Sequence, residues 1–192
     1  MRKPIAKILA LVAFAAGALS FGSCDLFEKA DDVTFEEELV INWDTDENLE
    51  GSNVPYEDFQ ILDLADYPVF APYIDKIKSV EVTKITYRIT NFDNSPHNQP
   101  VTLVGGTASF GPYDSSSPSV TVPMAGASGV NIGAQTAETT LAIDAAGLSK
   151  VAKDLLDDKQ VKMYSEGTLS KTPVAFRVVS TFYVKITANA LD

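Results

Sequence analysis

The sequence predicts an all-β fold, an antiparallel two-sheet β-sandwich with one amphipathic helix near residues 144–158. Three observations lead there. Apolar and polar residues alternate with a period of two in several segments, Gly, Pro, Ser and Asn clusters separate them at fairly regular spacing, and a 3.6-residue period occurs once.

The first strand is expected over residues 33–43, where Val33, Phe35, Leu39, Ile41 and Trp43 alternate with Thr34, Glu36, Glu38 and Asn42. Residues 61–78, interrupted by Pro68 and Pro72, read as a strand end followed by a short helical crossover. A second long strand carries Val80, Val82, Ile85, Tyr87 and Ile89; its apolar parity switches between Val82 and Ile85, which a β-bulge near Thr83 explains. Shorter strands are expected over 101–104, 119–124, 139–143 and 161–169. Residues 174–188 alternate most cleanly, with Val174, Phe176, Val178, Phe182, Val184 and Ile186 against Arg177, Thr181, Lys185 and Thr187. The helix is expected to be capped by Asp144, with Leu148, Val151, Ala152, Leu155 and Leu156 on its apolar stripe. This pattern suits a sandwich of Ig-like or similar kind, as one domain spanning residues 33–192.

Composition narrows the function classes. The chain has 192 residues, with 15 Lys+Arg against 26 Asp+Glu and a net charge of −11. That is the wrong sign for a protein that grips nucleic-acid phosphates, so nucleic acid is set aside as a partner. One Cys and one His exclude a zinc cluster and a disulfide framework, and no cofactor motif occurs.

The N-terminus carries a transport signal. Arg2, Lys3 and Lys7 precede an uncharged apolar run from Ile8 to Leu19, then Ser20, Phe21, Gly22, Ser23 and Cys24. The run falls short of the ~20 residues a spanning helix needs, and small residues end it, so residues 1–23 read as a cleaved signal peptide. The sole Cys at the signal's end, after Gly22 and Ser23 and before Asp25, resembles the lipobox of bacterial lipoproteins; Phe21 stands where that motif has Leu. The resemblance implies that Cys24 becomes the mature N-terminus, acylated on sulfur and nitrogen, and that the membrane is a partner through this lipid anchor. It implies the bacterial cell envelope, at the outer membrane, with the inner or outer face left open. Cleavage discards three basic groups and no acid, so the net charge moves from −11 to −14. Residues 24–32, with Asp25, Glu28, Asp31 and Asp32, form an acidic tether. Lipoprotein pilins of one class are cut after an Arg beyond the signal, but this mature chain has only Arg88 and Arg177, both inside expected strands.

Few residues point to chemistry. Asp44, Asp46, Asn48 and Glu50 place oxygens at alternate positions, as a calcium loop does, but Leu49 and Pro55 stand where an EF-hand needs Gly and a bidentate acid, so a solvated loop is expected. Alternation sends Glu37 to the apolar face, at a sheet edge or against a basic partner. His97, in a loop without a Gly-x-Ser-x-Gly elbow, reads as an exposed loop residue, and Gly105-Gly106 as a turn or bulge. Tyr56, Phe59, Tyr67, Phe70 and Tyr73 cluster between prolines, and Phe110 and Tyr113 precede a serine run. Ring faces beside carboxylates and amides suit a carbohydrate platform, for which Tyr56, Tyr67, Tyr73 and Tyr113 are the candidate residues, while the alternative is a lid over the core. The expectation is a non-enzymatic binding or assembly module with a glycan or an envelope protein as partner. The alternatives are a hydrolase built on two converging carboxylates, or a carrier of an apolar ligand between the sheets.

Overall fold

The computed structural model describes residues 31–190 apart from 96 and 125–128. The expected signal peptide, Cys24 and most of the tether lie outside the described residues. Strand β1 (Asp32–Asp63) is followed by 3-10 turns at Leu64–Asp66 and Ala71–Lys76, then β2 (Ile77–Asp93), β3 (Thr102–Gly111), β4 (Val120–Pro123) and β5 (Val130–Asn131). A 3-10 turn at Ile132–Ala134, β6 (Thr139–Thr140), helix α1 (Ala145–Asp158) and β7 (Gln160–Asn189) complete the order. The described residues are thus mostly β with one α-helix, as expected.

β1 and β7 form an antiparallel ribbon from Asp32 opposite Asn189 to Asp63 opposite Gln160. The other edge of β7 is shared. β2 takes its C-terminal half, from Ala188 to Ala175, and β3 its N-terminal half, from Leu169 to Lys162. β4 and β5 extend β3, and β6 extends β2, so hydrogen bonds unite seven strands in one sheet. The two sheets expected from the alternation are therefore joined. What replaces them is two facing halves of one curled sheet, because the ribbon is continuous where the sequence suggests turns.

The ribbon changes direction at residues 47–51. The register of β1 against β7 slips between Glu47 and Gly51, and the buried positions of β7 switch from Val161, Met163, Ser165 and Leu169 to Thr172, Val174, Phe176 and onward at even numbers. A Cβ at Gly51 would lie 2.8 Å from Val54 Cγ2 and 3.3 Å from Thr172 Oγ1, so the crossing is tight enough to need glycine. Apolar side chains then meet across the fold. Phe110 lies edge-on to Phe182 at 5.9 Å, Tyr56 packs on Phe176 at 5.7 Å, and Tyr87 donates its hydroxyl to the Met124 carbonyl at 2.7 Å.

Three local expectations are met. Asp144 caps α1 by accepting from the Gly147 amide at 2.7 Å, and the helix buries Val151, Ala152 and Leu155. The register of β2 slips between Val82 and Lys84, where the bulge was expected. The crossover after Asp63 is helical, as two 3-10 turns. The extents differ. β1 continues to Asp63, segments 161–169 and 174–188 are one strand of 30 residues, and Asp32, expected in the tether, opens β1.

Candidate functional site

The four candidate tyrosines separate. Tyr56 is 3% exposed; its hydroxyl lies 3.4 Å from Trp43 Nε1, which donates to it, and 3.4 Å from Thr45 Oγ1. Burial first of all raises the ionisation range of that phenol. Tyr56 belongs to the core and presents no free ring. Tyr67 is half-buried, donates to the Val40 carbonyl at 2.9 Å, and leans on Phe70. Tyr73, also half-buried, packs on Phe35 at 5.2 Å. Tyr113 stands apart, 50% exposed in the loop between β3 and β4.

Strand parity builds a different surface. In the half of the ribbon nearest the 3-10 turns, Tyr56 and Leu62 of β1 and Val161, Met163 and Ser165 of β7 are buried, so Glu57 and Phe59, with Lys162, Tyr164 and Glu166, point outward. Registration aligns them in rows. Phe59 is opposite Tyr164, which is opposite Ser109, which is opposite Thr121; the next row is Glu57, Glu166, Thr107 and Pro123.

The rings of Phe59 and Tyr164 lie 6.0 Å apart, tilted by 45°. The Lys162 ammonium rests 4.1 Å from the Phe59 centroid and 4.8 Å from that of Tyr164. Phe59 is 47% exposed. Beside this ledge, Thr107 Oγ1 donates to Glu166 Oε1 at 2.9 Å. The loop after β3 folds back over the strand: a Cβ at Gly111 would sit 3.0 Å from Pro118 Cα, the Ser119 amide donates to the Phe110 carbonyl at 2.7 Å, and Ser119 Oγ donates to Asp154 of α1 at 2.7 Å. The loop thereby walls a hollow of about 110 Å³, bounded by Glu57, Ser109, Ser116, Pro118, Tyr164 and Glu166. The two glutamates also line a trough of about 440 Å³ over Pro55, Val104, Gly105 and Thr168. Aromatic faces, carboxylates and hydroxyls thus meet on one open surface.

The remaining candidates do not converge. Asp44, Asp46, Asn48 and Glu50 are exposed and lie within β1 or at its register slip rather than in a free loop. The Arg177 guanidinium holds both oxygens of Asp44 at 2.7 Å, and this bond keeps the Asp44 carboxyl below its usual range. Among the described residues no group of three or more His, Cys, Asp or Glu is placed to hold a metal ion. Glu37 keeps the parity of Phe35 and Leu39, opposite Val184, and is exposed there beside Glu36 and Glu38. His97 is half-buried, not free in its loop: Nε2 lies 2.9 Å from the Pro173 carbonyl, to which it donates as the Nε2–H tautomer, while Nδ1 is buried without a partner. No described helix is long and apolar enough to cross a membrane.

No protein-family model matches the chain, and no curated protein matches it. Among solved structures, a decameric BFDV capsid protein aligns over 80% of this chain and 99% of its own at 10% identity, with a TM-score of 0.45. Desmodium yellow mottle tymovirus aligns over 100% of this chain and 98% of its own, also at 10% identity, with a TM-score of 0.34. At such scores neither likeness bears on what this chain does.

The ledge was only partly visible in the sequence. Phe59 belongs to the aromatic cluster between the prolines, but Lys162, Tyr164 and Glu166 do not stand out in a strand whose signal is its apolar positions. The alternate, wet-face parity of 162, 164 and 166 was the signal.

Proposed function

We propose that this protein is a lipid-anchored module of the bacterial cell envelope that binds glycan, without catalysis, on the outer face of its β1–β7 ribbon. The observation that carries the reading is the outward-facing pair of exposed Phe59 and half-buried Tyr164 beside the Glu57–Glu166 trough. Sugar rings stack their C–H faces on aromatic rings and give their hydroxyls to carboxylates and serines. The anchor would be the acylated Cys24, and the negative body would stand off an anionic membrane surface. The two halves of the curled sheet would act as the two layers of a sandwich, leaving the outer face of one layer for the ligand.

Hydrolysis by Glu57 and Glu166 is the second reading, since directly opposed residues bring their Cβ atoms to ~5 Å. Both side chains are exposed in an open trough that does not close out water, which favours binding over chemistry. An apolar cargo between the layers finds that space occupied by Phe110, Phe182, Tyr87 and Met163.

The test is a glycan array on the purified protein, repeated with Phe59→Ala and Tyr164→Ala. Each variant is expected to lose about 30-fold in affinity, the ~2 kcal/mol of an aromatic anchor, while still folding. An array without signal overturns the reading.

A further inference from the structure

We propose that the ligand is an amine-bearing glycan, whose ammonium group enters the hollow between the Tyr164 ring and the Glu57 and Glu166 carboxylates. This rests on the glycan-binding reading and names the substrate class of the same site.

The protein's own Lys162 shows the affinity of the ledge for a cation. Its ammonium lies over both rings, 4.1 Å and 4.8 Å from their centroids, where the ring quadrupoles attract positive charge. Along β7, Tyr164 separates Lys162 from Glu166, so the hollow with the acids adjoins the side of the ring pair away from Lys162. The chemistry there favours a second cation more strongly. Glu57 and Glu166 are directly opposite each other, an arrangement of like charges that destabilises a sheet. Among the described residues no Lys or Arg forms an ion pair with either one. Thr107 donates to Glu166, but a hydroxyl leaves the charge in place.

Size assigns the parts of the ligand. A volume of about 110 Å³ equals roughly four waters at ~30 Å³ each, room for an ammonium on its carbon. The sugar ring then stays in the adjoining trough of about 440 Å³. An ammonium in the hollow meets an aromatic face, two carboxylates and the Ser116 side, and it relieves the repulsion between the acids. A neutral acetamido group can give one N–H to a carboxylate but brings no positive charge, so it gains neither the ion pairing nor the relief.

Calorimetric titration of the purified protein at 150 mM salt separates the possibilities. The probes are a β-1,4-linked glucosamine tetramer, its fully N-acetylated counterpart, and tetralysine. The amine tetramer is expected to bind at least about tenfold more tightly than the acetylated one, a charge-assisted contact's worth. Glu57→Gln and Glu166→Gln should each weaken the amine tetramer far more than the acetylated one, abolishing most of that preference, with the melting temperature equal or higher. Equal binding of both tetramers, or tighter binding of the acetylated one, overturns the amine assignment and leaves glycan binding standing. Tetralysine binding more tightly than the amino sugar also overturns it, in favour of a basic peptide. Failure of both tetramers together with a blank glycan array removes the glycan reading itself.

Discussion

Tyr56 and Phe59 stand three residues apart on one strand and have opposite fates. An odd separation in an extended strand sends side chains to opposite faces, so Tyr56 meets Phe176 in the core while Phe59 meets Tyr164 on the outer face. The sequence shows the cluster of rings but not this division, because residues 50–60 mix Gly, Ser, Asn, Pro and acids and give no clean alternation to set the parity. Tyr56→Ala is expected to lower stability by about 3–5 kcal/mol, since it opens a cavity and strips Trp43 Nε1 of its acceptor. Phe59→Ala should stay within about 1 kcal/mol. Urea denaturation of both variants checks the contrast. Two other tyrosines are expected to make the fold sensitive to alkali. Burial, aided by the Asp66 carboxylate, pushes Tyr67 up to about 12 from 10.0, and burial alone does the same for Tyr87. A raised value means that the unfolded chain gives up the proton first. The stabilisation is therefore fully present below pH 10 and is lost as pH rises through about 12. Absorbance at the phenolate band and circular dichroism should change together, whereas ionisation of both groups with the fold retained would contradict the burial.

At the scale of elements, period and capping chemistry made some features legible and backbone continuity hid others. The helix was readable because its apolar stripe and Asp144 cap are local signals. Asp144→Ala should cost about 1 kcal/mol by freeing the Gly147 amide, measurable as a lower melting temperature. The bulge in β2 was readable from a parity change alone. The bend of β7 was not, because Thr172 and Pro173 look like a loop although Thr172 pairs with Gly51 and the ladder continues past Pro173 at Val174 opposite Glu47. Which side chains meet across the two halves is a long-range fact that no local period contains. Val178, 1% exposed in the middle of β7, reports on that packing. Val178→Asp is expected to remove several kcal/mol, enough to unfold a typical domain. A folded variant with a native-like melt would mean that the two faces do not close on each other.

For the molecule as a whole, the proposed anchor and the proposed site are independent and fail independently. Cys24→Ser should release the protein from the membrane fraction without altering ligand binding; retention in the wild-type proportion would remove the lipid anchor from the account. The binding surface was the least legible feature, since it draws Phe59 from one end of the chain, Tyr164 and Glu166 from the other, and its wall from the loop between β3 and β4. Only the pairing of β1, β7 and β3 assembles it. Resonance-by-resonance mapping of the backbone amides during titration with the glucosamine tetramer addresses this assembly directly. Shifts are expected to gather at Glu57–Phe59, Thr107–Ser109, Ser115–Ser117 and Lys162–Glu166, with Tyr67 and Tyr73 unmoved. Saturable shifts centred on Tyr67 and Tyr73, or none anywhere at millimolar ligand, would contradict the outer-face ledge as the binding site.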